Sequence, residues 1–201
     1  MAAHAVPLWG VADLAGFATP RDTTGERYPR AIAFAHPMTP AIMDSIRTGP
    51  NGAYADEYAR VNARINAISA ELSALLAQRG GRAAPLAASV RSDGEKIRGD
   101  FPHKTAATRA GLGWIGRNCQ LITRPYGPWV RLGTVFTDLE LRAASPQEGS
   151  FCGRCRRCVE ACPAGALEGA AWSPGVRRRD IIAVRRCDAW KKRHYFQYHK
   201  G

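Results

Sequence analysis

A chain of 201 residues, 45% of them apolar, is long enough for one domain with a real core plus a small appendage. Charged residues make up 23%, which excludes a disordered, solvating chain, and no window approaches the ~20 apolar residues of a membrane span. The net charge of +12 is unevenly placed, with +8 of it between Cys152 and Gly201. Such a basic surface suits an acidic partner, either an RNA backbone or an acidic electron donor such as a flavodoxin or ferredoxin. The chain also has 24 Arg against 5 Lys, a usage bias that would produce a merely solvated basic face.

The opening M-A-A-H-A-V-P-L-W-G-V-A-D-L-A-G-F lacks a basic stretch leading into a long apolar run, so no signal peptide is read and a reducing, cytoplasmic setting is expected. Arg30 to Ala35 is a short apolar run that predicts a buried strand. From Tyr54 the apolar positions Tyr58, Val61, Ile65, Ile68, Leu72 and Leu75 follow in steps of three and four, one face of a long helix read as core packing alone. Asn51-Gly52 opens that helix and Gly80-Gly81 closes it. Leu86 to Val90 predicts a second strand, and the polar Arg91 to Gly99 a loop or lid. Lys104 to Ala110 suits a short helix after Pro102. Gly111, Gly113 and Gly116 then permit unusual dihedrals and close approach. They follow a helix, so they are not a dinucleotide fingerprint, which needs glycines between strand and helix.

Gln120 to Thr123 and Trp129 to Phe136 are strand-like around R-P-Y-G-P, predicting a hairpin that ends at Asp138. Cys119, in the apolar stretch C-Q-L-I-T, reads as a core cysteine. Ala143 to Ser150 is a small, polar linker. Beyond it, Val159 to Leu167 predicts a short helix, Trp172 to Gly175 a turn, and Asp180 to Val184 an apolar segment leading to Cys187.

The densest chemistry is C-G-R-C-R-R-C-V-E-A-C-P. Cys152, Cys155 and Cys158 recur every third residue, which wraps a chain around one inorganic cluster, and Cys162 followed by Pro163 completes the bacterial ferredoxin spacing for [4Fe–4S] binding. A zinc site is the alternative, but zinc favours separated pairs closing a tetrahedron around one ion. Two full clusters need eight thiolates and this chain has six, so the expected set is Cys152, Cys155 and Cys158 with Cys187 or Cys162 as fourth ligand. Cys187 lies in R-R-C-D-A-W-K-K-R, where cations favour a thiolate. Arg154, Arg156 and Arg157, set among the ligands, would stabilise the reduced cluster and raise its potential. His103 and Lys104, at the mouth of the glycine block, are candidates for proton transfer and for holding an anionic ligand. Trp114, Asn118 and Tyr126 are candidate cofactor-pocket residues.

H-K-T-A-A-T-R-A-G-L-G-W-I-G-R-N, Y-G-P-W-V-R-L-G-T-V-F-T-D and C-G-R-C-R-R-C-V-E-A-C-P-A-G-A-L together resemble the epoxyqueuosine reductase superfamily, and more closely its small iron–sulfur relatives. The resemblance implies an α/β (α+β) fold: a nitroreductase-like α/β sandwich over residues 1–142, then a ferredoxin-like iron–sulfur module over 143–201. It implies a corrinoid (cobalamin) in the sandwich, reduced by the cluster, so that an epoxide in a tRNA anticodon loses its oxygen. The family's acidic D-x-x-P-x-x-E segment is not matched. Ile97 stands at the Asp position, Asp100 at the Pro and His103 at the Glu, leaving Asp100 and His103 as substitute catalytic groups. Relatives continue into a further C-G-x-C-x-x-x-C-P, so either a single-cluster variant or a shortened form is expected, the latter leaving Cys162 and Cys187 from a second site. The activity so implied is iron–sulfur reduction. An electron carrier for a partner enzyme, or an RNA-binding protein with a structural cluster, are the alternatives.

Overall fold

The computed structural model describes residues 6–195 and residue 197. Most of the closing H-Y-F-Q-Y-H-K-G stretch and the first five residues of the opening segment lie outside the described residues. The order along the chain is β1 (Leu8–Asp13), β2 (Arg30–Pro37), α1 (Pro40–Asp44), α2 (Gly52–Gln78), β3 (Ala83–Leu86), α3 (His103–Arg109), β4 (Trp114–Ile115), β5 (Leu121–Ile122), β6 (Val130–Thr137), α4 (Arg157–Glu160), α5 (Arg178–Ile181) and α6 (Val184–His194).

Four strands form an antiparallel sheet in the order β1-β2-β6-β3, with Arg30 opposite Thr137 and Ala83 also opposite Thr137 from the other side. Alternation on β2 decides what covers each face. Ala31 and Ala33 point one way and meet Ala106, Ala107 and Ala110 at α3, small against small. Ile32 and Phe34 point the other way, into cores shared with Val61, Ile65, Ile68 and Leu76 of α2. One face therefore carries a long helix on large side chains, the other a short helix held close. At Gly10 on β1 an added Cβ would sit 2.4 Å from the Ala110 carbonyl oxygen, which measures how near the backbone comes at the end of α3. Pro85 is tolerated because β3 is an edge strand, where a missing N–H costs no ladder bond on the open side.

Gly133 lies directly opposite Phe34. A Cβ there would fall 2.1 Å from a Phe34 ring carbon that is fully buried. Gly133→Ala is expected to destabilise the fold by about 2–3 kcal/mol through overpacking, read as a lower midpoint in chemical denaturation. A variant as stable as the parent would mean that the Phe34 ring has room to swing away.

The helix over Gly52–Gln78 forms as the spacing predicts, and Asn51 caps it by accepting from the Tyr54 backbone N–H at 2.9 Å. Gly80, at φ +81, ends it. Several expectations are corrected. Leu8–Asp13 is a strand that no strong sequence pattern announced. The predicted strand at Leu86 to Val90 lies earlier, over Ala83–Leu86. The hairpin does not form: R-P-Y-G-P does turn, with Thr123 bridging Gly127, but Leu121–Ile122 pairs with Trp114–Ile115 while Val130–Thr137 joins the main sheet. The helix expected over Val159 to Leu167 is one turn, Arg157–Glu160. Cys187, expected after an apolar segment, is carried on α6. Among the described residues no helix is long and apolar enough to cross a membrane.

Candidate functional site

Loop 91–99 divides two cavities. The larger, about 970 Å³, is lined by Asp100, His103, Lys104 and Cys119 from the sheet-bearing part and by Trp172, Arg178 and Ile181 from the Cys-bearing part. The other, about 850 Å³, lies over α2 and is lined by Tyr54, Tyr58, Arg131, Arg91 and Lys191. The apolar stripe of α2 is thus not core alone: Val61, Ile65 and Ile68 are buried, Tyr54 and Tyr58 face this cavity, and Leu75 is exposed while Leu76 is buried in its place. Both cavities share Ser89 and Ile97. Ser89 (φ 63), Ile97 (φ 51) and Cys119 (φ 61) are the non-glycine residues at positive φ among the described residues, and all three line a cavity. For a β-branched Ile this backbone is strained, and strain of this kind gathers at functional sites.

The loop is tied to the Cys-bearing part. Arg91 pairs with Asp188 at 2.9 Å, and Arg178 donates to the Ile97 carbonyl at 2.9 Å. Within it, Asp93 accepts from the Lys96 backbone and faces Lys96 and Arg98, which holds its carboxyl below the ordinary range. In the second cavity Arg131 stacks 3.9 Å over the Tyr58 ring and donates to Asn62 and Ser89.

His103 is fully engaged. Its Nε2 lies 3.3 Å from the Ala87 carbonyl, which can only accept, so Nε2 carries the proton and Nδ1 accepts from the Thr134 hydroxyl at 2.9 Å. Burial pushes its pKa down to about 4, with the Arg131 charge adding and the Ala87 bond opposing. The imidazole is therefore neutral near pH 7, and in this structure both its nitrogens are engaged at the start of α3. Because the folded pKa lies below the unfolded value near 6.5, stability is complete above pH 6.5 and is lost as pH falls towards 4, when the unfolded chain takes up a proton the folded one refuses. The loss amounts to about 3 kcal/mol at most. His103→Gln should flatten this stretch of the pH–stability curve; an unchanged slope would place the titration elsewhere.

Asp100, by contrast, is an exposed carboxylate at the rim of the larger cavity. Lys104 donates from Nζ to the Cys119 carbonyl and lies 3.5 Å from its sulfur. Cys119 is buried as expected, yet it borders the cavity. Asn118 accepts from the Gln120 backbone, Tyr126 sits in the Thr123–Gly127 turn, and neither lines either cavity. Trp114 lies against the Cys run instead. Sequence reasoning missed Ser89, Ile97 as a wall residue, Trp172 and Arg178. A β-branched residue held at positive φ leaves no mark in sequence.

The Cys run is a chain of tight turns. The Cys155 N–H bonds the Cys152 carbonyl at 3.0 Å across Gly153, whose φ of +54 suits glycine. Cys158 rides α4. Burial chiefly, then the neighbouring Cys152 and Cys155, raises the Cys158 thiol. Burial also raises Cys187, against the pull of Lys191 and with added repulsion from Cys162, Asp188 and Cys119. The thiols thus gather around Cys158 and around Cys187, and Cys162 also accepts the Ala166 backbone N–H at 3.4 Å. Among the described residues no three His, Cys, Asp or Glu side chains converge on a single metal ion. A cubane asks for something wider, one thiolate at each corner iron. Burial works against the Cys152 thiolate, but the Ser150 hydroxyl, the Arg117 backbone and the Trp114 indole outweigh it and hold this thiol below the usual range. Cys152 is thus held below its ordinary range while Cys158 and Cys187 are held above theirs.

No known protein-family model matches the chain. It is 42% identical over 92 residues to an epoxyqueuosine reductase of Gloeobacter violaceus, a match covering 46% of this chain and 26% of that protein. The chain thus spans about a quarter of that relative's length. In fold it is similar to a reductive dehalogenase described with a B12-dependent mechanism (TM-score 0.70, 19% identity, 94% of this chain and 27% of that one). It is also similar to an epoxyqueuosine reductase bound to an epoxyqueuosine-modified tRNA-Tyr stem loop (TM-score 0.58, 17% identity, 94% and 54%).

Proposed function

We propose, from the premise that this chain is related to the epoxyqueuosine reductases over nearly half its length, that it is the electron-delivering part of an iron–sulfur reductase. The observation that carries this reading is the shared wall of the 970 Å³ cavity, most of it from the sheet-bearing part and closed by Trp172, Val176, Arg178 and Ile181 of the Cys-bearing part. A ligand in it sits between the two, which a plain electron carrier has no need of. Cys152, Cys155 and Cys158 would hold a [4Fe–4S] cluster, which supplies electrons one at a time. Cys162 and Cys187, neighbours of each other, serve the same centre or a second one. Residues 6–142 would be the nitroreductase-like sandwich and 143–195 the ferredoxin-like module.

The cavity is at the upper end of small-molecule sites. Around it Lys104 and Arg178 favour negative charge, and Phe101, Ile115 and Trp172 exclude water. Asp100 is the carboxylate able to pass a proton at the rim, while His103 fixes the wall beside it. Ile97 occupies the position of the family's acid, so protonation in this chain falls to Asp100 or solvent. For substrate we favour a nucleoside in structured RNA, tRNA first. Arg178 lines this cavity and Lys191 the other one, Arg177, Arg179, Arg185, Arg186 and Lys192 are exposed near them along the chain, and the tRNA complex of the similar structure points the same way. A flavodoxin or ferredoxin would use the same basic charge to dock.

The test is elemental analysis of anaerobically purified protein for iron, sulfide, zinc and cobalt. About four iron with matching sulfide supports the cluster, and retention of added cobalamin supports the corrinoid. Zinc without sulfide would end the redox reading.

A further inference from the structure

Nε1 of Trp114 and Nε of Arg117 are buried donors with no acceptor among the described residues. Both belong to the glycine block, and they contact the residues either side of Cys152, Trp114 the Phe151 ring and Arg117 the Gly153 carbonyl. Leaving such a donor unmade costs about 1–3 kcal/mol, so a pair of them at one place calls for a partner.

The fold aims these side chains with care. Strand β4 pairs with β5, and an added Cβ on Gly113 would lie 2.1 Å from the Ile122 carbonyl, so only glycine lets the strands close this tightly. Gly116 and Cys119 then complete the turn, bonding the Gln120 and Gly116 carbonyls at 2.8 and 2.9 Å. The Trp114 ring is braced edge-on by Phe151 at 5.2 Å, and Phe151 immediately precedes Cys152. Arg124 lies 4.9 Å over the other aromatic ring of that pair. Arg117 spans the run, donating to the Gly153 carbonyl at 2.8 Å and to that of Gly169.

We propose that Trp114 and Arg117 form the sulfur-facing wall of the cluster site, Trp114 donating its indole N–H to a cluster sulfur and so helping to set the reduction potential. The inference rests on the cluster reading above and adds residues outside the Cys run to it. Sulfur in a cluster accepts N–H bonds, and these strengthen when an electron adds negative charge, so each raises the potential. Arg117 is the poorer probe, because its other nitrogens hold the run in place. Trp114→Phe keeps the ring and removes only the donor.

The experiment reconstitutes the full chain anaerobically and holds wild type and Trp114→Phe at one applied potential near the wild-type midpoint. Iron and sulfide per chain should be equal, while the ratio of reduced to oxidised cluster falls about tenfold in the variant, ~59 mV for one electron. Full iron with an unmoved ratio overturns this inference and leaves the cluster reading intact; no iron in either protein overturns both. Should the variant fail to assemble, wild type labelled with indole-15N tryptophan decides by pulsed EPR. A nitrogen coupled to the reduced cluster supports the wall, and its absence overturns it.

Discussion

Replacing Cys152, Cys155 and Cys158 together with serine should take bound iron and labile sulfide from about four per chain to none, the largest change any substitution here is expected to make. The sheet should survive. Its cores draw on β1, β2, β6, α2 and α3, and no cysteine of the run contributes to them. Cluster loss should therefore appear in the visible spectrum and iron count while the far-ultraviolet signal of the α/β part persists. Single substitutions separate the remaining thiols. Cys187→Ser should alter the centre that Cys162 shares, whereas Cys119→Ala should leave iron unchanged, since Cys119 is buried beside Lys104 outside the Cys run. Full iron retention in the triple variant would place the iron centre on other residues of the protein.

Asp188→Ala should cost about 3 kcal/mol, because it takes one partner from a largely buried ion pair. Asp188 is 6% exposed on α6 and holds Arg91 at 2.9 Å and Lys192 at 3.1 Å. Without it, Arg91 faces the 850 Å³ cavity with its charge uncompensated, and loop 91–99 keeps only the exposed Glu95–Arg185 pair, at 4.0 Å, as an ion-pair tie to α6. The expected signature is a lower melting temperature together with faster proteolysis after the arginines of the loop. Asp188→Asn keeps the shape and loses the charge, so it should recover part of the loss. If both variants melt like the parent, the pair does not anchor the loop, and the division between the two cavities has another cause.

Much of the site was legible because its carriers are local. The Cys spacing points to its chemistry from four cysteines and a proline within twelve residues. Asn51 and Gly80 announce the ends of α2, since capping is settled within a turn of the chain. The glycine block was visible as a place of close approach, and Gly113 against Ile122 shows what it approaches. His103 was legible as special, but its surroundings were not. Its role depends on Thr134 and Ala87, both remote in sequence, which occupy its two nitrogens. Trp114 was expected in a ligand pocket and faces the Cys run, while Asn118 and Tyr126 only shape turns.

By itself the sequence determined what short-range physics can decide: the helical period of Val61, Ile65 and Ile68, the buried strand at Arg30, the turn at Pro125 to Pro128 and the thiol spacing. Only the tertiary structure decided that Leu121–Ile122 pairs with Trp114–Ile115 rather than with β6, that Ser89 and Ile97 are held at positive φ between two cavities, and that Cys187 lies near Cys162. The reason is the same in each case. Partner choice between strands and the placing of a strained loop are balances of burial and pairing between segments tens of residues apart, and no local pattern records which of several comparable partners wins.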